Sequence, residues 1–278
     1  MASCELVMLD GEPTYEIRQT KAGFLGAFST RRIRKGQLVL REKPLLTVDA
    51  PLQSYLFQRL QSGASGPTPV EGDSDEDEEA PTLEHFLDKN ITRQLKFKTP
   101  EQQQEYWDLA NTRPELPRAY GIFATNAVST VDETGGMFLT LSRFNSACRP
   151  CLTRPQYDAQ SKTFSLFAVR DIEQGQELTW PYLGVPFEFD SIESRREELE
   201  RCFHFSCLCD ACQDWLSDPA KMKESNRRLL QLRRLKESLS SDKGGRHHTL
   251  SNMIKLARDE KLYEMADRLQ EQLDQEPE

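Results

Sequence analysis

The sequence predicts a β-rich α+β fold, from three observations. Short apolar segments separated by Gly and acidic turns occur early and resume after residue 120. A run with helical spacing is inserted between the two sets. A tail with helical periodicity closes the chain.

Taken in order, Tyr15-Glu-Ile-Arg18 alternates, and Lys21 to Phe28 supplies a glycine-containing bend. Gln37-Leu-Val-Leu40 and Leu45-Leu-Thr-Val48 read as strands on either side of Pro44, with a turn at Gly36. A helix is predicted at Leu52 to Leu60. Residues 61–82 are Gly, Ser, Pro and acid, with seven acids among the nine residues Glu71 to Glu79, and read as a flexible loop. Leu83, Phe86, Leu87, Ile91 and Leu95 recur at helical spacing, and a second helical stretch holds Tyr106, Trp107 and Leu109 before Pro114 and Pro117.

Strands are predicted again at Gly121–Ala124, Gly136–Thr140, Phe164–Val169 and Glu177–Trp180. A charged helix follows at 191–201. Residues 222–240 and 249–274, separated by Asp242-Lys-Gly-Gly245, read as a helical hairpin. The predicted organisation is a main domain over 13–183 with a loop at 61–82 and a helical insert at 83–118, a cysteine segment over 191–215, and C-terminal helices over 217–278.

Composition narrows the function classes. With 278 residues, 37% hydrophobic and 29% charged, the chain is neither collagen-like nor wholly disordered. No run of about 18 apolar residues exists, so no membrane span is expected. The acidic N-terminus, interrupted by Pro13, lacks the order of a signal peptide, and an intracellular protein is expected. The net charge of −9 argues against a general nucleic-acid surface. A local basic stretch survives from Lys221 to His248, with nine Lys or Arg against three acids.

Seven cysteines, odd in number and clustered, make a poor disulfide framework. Cys207, Cys209 and Cys212 form C-x-C-x-x-C, three thiols suited to sharing one soft cation. A tetrahedral zinc site needs a fourth ligand. Cys148, Cys151, Cys202 and His204 are the candidates.

Three separated pieces carry the chemistry. The first runs from Gly23-Phe-Leu-Gly26-Ala-Phe28 through Ile33-Arg-Lys-Gly36 to Glu42-x-Pro44. The second is Ser142-Arg-Phe-Asn145-Ser-Ala-Cys148-Arg-Pro150-Cys151. The third is Ala168-Val-Arg-Asp-Ile172-Glu-Gln-Gly175-Gln-Glu177-Leu-Thr179-Trp-Pro-Tyr182-Leu, followed by Phe205-Ser-Cys207-Leu-Cys209-Asp-Ala-Cys212. In this order they resemble the SET-domain protein methyltransferases, and most nearly the subgroup whose SET domain is split by a helical insert and ends in a C-x-C-x-x-C post-SET segment. The resemblance covers roughly residues 13–212. The subgroup's MYND finger is absent, because only Cys4 precedes Cys148.

The resemblance implies a SET fold and an S-adenosylmethionine-dependent protein-lysine N-methyltransferase. It implies cofactor contacts from Gly26, Asn126, Asn145, the motif position held by Ser146, Tyr182 and Phe205, with Tyr182 as the active-site tyrosine. It implies one zinc held by Cys148, Cys207, Cys209 and Cys212. The substrate would be a protein or peptide lysine, histone or non-histone, in the nucleus or the cytoplasm. No nucleic-acid or membrane partner is expected, and a monomer is. Five positions depart from the family pattern. Ser146 stands for the motif His, Ala147 for the motif Ser, Cys151 for an Asn, Phe203 for a second tyrosine, and Phe24 for a loop glycine. They keep open a rival reading, a catalytically impaired SET-like binding module, and a third, an enzyme acting on small amines.

Overall fold

The computed structural model describes residues 4–5, 7–9, 11–49, 82–130, 134–184, 187–239 and 245–275. The helix expected at Leu52 to Leu60 lies outside them, as does the 61–82 loop apart from Thr82. In chain order the elements are β1 (Cys4–Glu5), β2 (Met8–Leu9), β3 (Glu12–Pro13), β4 (Tyr15–Gln19), β5 (Leu25–Ser29), β6 (Leu38–Glu42) and β7 (Leu46–Asp49). Next come α1 (Leu83–Leu95), α2 (Pro100–Trp107), α3 (Arg118–Asn126), β8 (Val128–Ser129), β9 (Thr134–Met137), a 3-10 turn (Leu141–Arg143), β10 (Thr153–Asp158) and β11 (Thr163–Ala168). The chain closes with α4 (Ile192–Phe203), α5 (Asp210–Leu216), α6 (Pro219–Leu239), α7 (Arg246–Asp259) and α8 (Tyr263–Asp274). None of the described helices is long and apolar enough to cross a membrane.

The chain divides into two compact units. The first comprises Met1–Thr14, Leu40–Phe144 and Pro155–Leu166. Its three-stranded sheet runs β7-β9-β8, and a four-stranded sheet of order β1-β6-β11-β10 has most of its residues here. Helix α1 begins because the Thr82 side chain accepts the His85 N–H, and Leu87, Ile91 and Leu95 recur every fourth residue on its buried face. Helix α2 carries a full capping box between Thr99 and Gln102, with Pro100 in its first turn. Tyr106 is fully buried, and its hydroxyl donates to Ala119 O at 2.6 Å.

The expected strand at Gly121–Ala124 is instead the middle of α3. Ala119 to Phe123 are all buried, so the segment is apolar all round and shows no helical stripe in the sequence. Gly121 is required there. A Cβ would lie 2.8 Å from Arg113 O, so the helix backbone can approach that loop only without a side chain.

The second unit comprises Tyr15–Val39, Asn145–Arg154 and Phe167–Glu278. Strands β4 and β5 form an antiparallel hairpin, from Tyr15 opposite Ser29 to Gln19 opposite Leu25. Gly36 makes the expected turn at φ +84°, a region that favours glycine. The 177–180 segment is held by two bridges rather than a full ladder: Glu177 pairs antiparallel with Phe28, and Trp180 pairs parallel with Ser146.

The tail corrects the hairpin expectation. Apolar periodicity runs unbroken from 249 to 274, yet the chain forms two helices there, making three with α6. The break falls at Lys261, held at φ +58°, where Leu262 N–H returns to Ala257 O at 2.8 Å. No Gly or Pro marks that stop. Leu229, Leu232, Leu250, Met253, Ile254, Met265 and Leu269 make the apolar core of these helices.

Candidate functional site

The second unit brings most of the expected site residues together. At one corner the β5 backbone, Asn145 and Glu177 meet. Asn145 Nδ2 donates to Leu25 O at 3.1 Å and to Glu177 Oε1 at 2.7 Å. A Cβ on Gly26 would stand 2.8 Å from Glu177 Oε1 and 2.9 Å from Asn145 Nδ2, so both polar side chains rest directly on bare backbone. Phe24 is 71% exposed, and its ring does not fill this corner.

The backbone of 145–146 then carries the geometry to the tyrosine. Trp180 N–H donates to Asn145 O at 3.2 Å, and Tyr182 N–H donates to Ser146 Oγ at 3.2 Å. The residue standing in for the motif histidine therefore spends its hydroxyl on the backbone of Tyr182. Tyr182 sits among Trp180, Phe203 and Phe205, with ring centroids 5.3, 5.1 and 6.1 Å away. Burial, reinforced by the charge of Glu177, holds its phenol protonated well above the ordinary range.

Asn126 belongs to the first unit. It ends α3, and its Nδ2 donates to Ile122 O at 2.8 Å and to Ala110 O at 2.7 Å. Glu42, also in the first unit, receives the N–H groups of Thr140 at 3.0 Å and Leu141 at 2.9 Å at the start of the 3-10 turn. Burial pushes its carboxyl up to about 7.

The cysteines converge. The sulfurs of Cys148, Cys207 and Cys212 all lie within 4.8 Å of one another, with Cys207 and Cys212 buried. Cys209 is not one of these three mutually close sulfurs but packs against the buried cluster that holds Cys207 and Cys212. Interactions among the four thiols push Cys148 and Cys209 down and Cys207 and Cys212 up. The rival fourth ligands are otherwise engaged. Cys151 donates to Ala147 O at 2.7 Å, and burial pushes its thiol up. Cys202 Sγ contacts Glu198 Oε1 at 3.3 Å. His204 caps α4 at φ +57°.

Beneath the cysteines lies a buried charge network that residue patterns did not reveal. Arg149 donates to Glu260 Oε2 at 2.8 Å and to Glu188 O at 2.6 Å. Glu260, fully buried, also accepts from Arg228 Nε at 2.7 Å and Ser225 Oγ at 2.8 Å. Burial, then the neighbouring Arg195, lowers Arg149 to about 10. Arg195 donates to Asp190 O. Glu177 carries no role in the sequence pattern, although it opens the Glu177–Trp180 segment that leads to Tyr182.

Fold and site together define a domain with a glycine-cradled asparagine and glutamate, a half-buried tyrosine and a cysteine cluster. The chain belongs to the SET domain family, whose model matches residues 25–183, more than half of its length. Its fold is a SET fold of short antiparallel strands and helices. Among known proteins it is similar to the Schizosaccharomyces pombe histone-lysine N-methyltransferase set5, with 36% identity over 126 residues, 45% of this chain and 38% of that protein. It is also similar to the Homo sapiens histone-lysine N-methyltransferase SMYD1, with 26% identity over 119 residues, 37% of this chain and 24% of that one. The chain thus spans under two fifths of the length of these relatives. Among solved structures, the Neurospora SET domain protein DIM-5, a histone lysine methyltransferase, shares 15% identity over 61% of this chain and 52% of that chain, at a TM-score of 0.28.

Proposed function

We propose that this chain is an S-adenosylmethionine-dependent protein-lysine N-methyltransferase with one structural zinc. The observation that carries the reading is the continuous line from the Gly26, Asn145 and Glu177 corner through Ser146 to Tyr182. It sets a cofactor-holding corner and an amine-orienting hydroxyl on one short piece of backbone.

The residues fit the cofactor. Bare backbone at Gly26 lets the Asn145 amide and the Glu177 carboxylate pack directly on β5, which fixes both groups at the corner where a ligand would meet them. When bound, the cofactor supplies a methyl group activated on a cationic sulfur. Asn145, Gly26 and Phe205 would hold it. The negative charge of Glu177 favours a cationic ligand over its neutral thioether product. Tyr182 stays a neutral phenol, and its oxygen accepts an amine N–H and fixes the direction of the lone pair. Positioning of this kind suits an in-line displacement, which needs alignment more than acid catalysis. The Trp180, Phe203 and Phe205 rings exclude water around it. Ser146, by holding the Tyr182 backbone, is read as a positioning residue.

The sulfur set fits zinc. Three mutually close sulfurs, with Cys209 packed against the same cluster, are a soft donor group, and the buried Arg149 guanidinium is next to Cys148 in the chain. Zinc would be held by Cys148, Cys207, Cys209 and Cys212, and would pin the post-SET segment that carries Phe205.

The named relatives point to a histone lysine as substrate and hence to the nucleus as a site of action. Calorimetric titration of zinc-loaded protein with S-adenosylmethionine tests the reading, together with transfer of a labelled methyl group to histones. Micromolar binding that Asn145→Ala abolishes, with label appearing on lysine, is the expected result. No heat at millimolar cofactor with folded, zinc-loaded protein would mean a scaffold kept for binding other proteins.

A further inference from the structure

The Arg195 side chain is 3% exposed, and its Nε and Nη2 are shut off from solvent with no hydrogen-bond partner among the described residues. Leaving buried donors of a charged group unsatisfied is costly, and each such group calls for an explanation. Its third nitrogen, Nη1, is spent on the Asp190 carbonyl. A second guanidinium, that of Arg149, is 2% exposed and repelled by Arg195. Arg149 has Glu260 for a partner; Arg195 has no carboxylate partner among the described residues. Of two neighbouring buried cations only Arg149 has a buried carboxylate, and Glu193, the carboxylate Arg195 acts on, is exposed, so an excess of buried positive charge is left.

The negative charge that balances it is close at hand. Ile192 and Leu199, three residues before and four after Arg195 on the same face of α4, pack in one buried cluster with Cys207 and Cys212, and Cys148 and Cys209 pack against that cluster. When four thiols take up a divalent cation they release four protons, and the centre that forms carries a net charge of two minus. That centre needs buried cations around it as much as Arg195 needs an anion.

We propose that Arg195 is the outer counter-charge of the four-cysteine centre, a positioning residue that sets the affinity of this chain for a soft divalent cation. The inference rests on the zinc reading above. It also accounts for an arginine held in the first turn of α4, where the positive end of the helix dipole gives a cation no benefit.

The test is metal binding by the full chain, read apart from activity. Metal-free protein is titrated with Co2+, followed by the ligand-field absorption of tetrahedral thiolate coordination. Zn2+ affinity is then measured in competition with a chelator. Arg195→Met is expected to lower Zn2+ affinity about 10–100-fold, the usual cost of losing an outer-shell partner, with the Co2+ spectrum unchanged in shape. Arg195→Lys, which keeps the charge, is expected to stay within about threefold of the parent, a threshold of well under 1.4 kcal/mol. Parental affinity in Arg195→Met overturns the inference. So does a loss of tenfold or more in Arg195→Lys, because packing rather than charge would then set the affinity. That second variant decides alone if the first does not fold. A parent protein that takes up no Co2+ overturns the zinc reading itself, an outcome separate from both.

Discussion

The Tyr182 backbone N–H donates to the Ser146 hydroxyl at 3.2 Å, joining the motif loop directly to the tyrosine it serves. A serine here does for the backbone what no contact to a ligand would do. Ser146→Ala leaves a half-buried N–H without its acceptor, at a cost of about 1–3 kcal/mol. The expected result is a fall in kcat of about tenfold or more with little change in KM for cofactor, because the tyrosine shifts while the Asn145 corner stays. Steady-state kinetics of the variant check it, and an unchanged kcat would remove Ser146 from the positioning machinery.

Glu177 and Asn145 form the charged half of the corner. Glu177→Gln keeps a hydrogen-bonding partner for the Asn145 amide but removes the negative charge. The expected outcome is a narrower preference for S-adenosylmethionine over S-adenosylhomocysteine, by about tenfold, with the product's own affinity little changed. Paired calorimetric titrations of both ligands measure this. Equal weakening of the two ligands would show that Glu177 acts on shape and not on charge.

On the zinc reading, the cysteine cluster would couple metal binding to folding. Cys212→Ser, or removal of metal by a strong chelator, is expected to lower Tm by several degrees and to expose the segment carrying Phe205 to protease. Thermal denaturation with and without added Zn2+ reads the effect. Cys151→Ser is the contrast: its thiol donates to Ala147 O outside the cluster, so metal content should stay at one per chain.

Arg149 and Glu260 are both buried, 2.8 Å apart, and link the motif loop to the C-terminal helices. Removing Arg149 takes one of two guanidinium partners from the buried Glu260, which keeps Arg228 and Ser225. Arg149→Met is expected to destabilise the fold by less than the about 3–5 kcal/mol of a fully unpaired buried charge. The double variant Arg149→Met with Glu260→Gln should recover part of that loss. Denaturant unfolding of the two single variants and the double variant forms the cycle that measures it.

Glu42 makes stability depend on pH. Its carboxyl is raised by burial from 4.5 to about 7, so the folded state holds a proton that the unfolded state releases. The stabilisation is complete below about pH 4.5 and is lost as pH rises through about 7. Glu42→Gln cannot titrate, so the difference in Tm between parent and variant should change across that window and be level outside it. A difference that does not vary between pH 4.5 and 7.5 would show that the carboxyl titrates normally.

Much of this molecule could be read along the chain. Strands β4, β6 and β7, the turn at Gly36, helices α1 and α2, and the C-x-C-x-x-C set are local signals: alternation, capping residues and close ligand spacing act over a few residues; the segment read as a bend up to Phe28 is instead strand β5 from Leu25. The order of the motifs carried the family, because the residues that touch a common site must recur in the same chain order within one fold.

Other features depended on contacts formed only when distant segments meet. Helix α3 was misread because its segment is buried on every side and so lacks a stripe. The break at Lys261 carries no Gly or Pro, and packing against the other tail helices imposes it. Four candidate sulfur and nitrogen ligands stood open for the fourth metal position until the fold brought Cys148 to Cys207 and Cys212 and engaged Cys151 and Cys202 elsewhere. Glu260 lies 111 residues from Arg149, and the pairing of such groups is decided by burial, which no stretch of sequence records. Local chemistry chose the residues. The tertiary structure chose their partners, because the free energy of a buried charge or thiolate depends on what surrounds it in three dimensions.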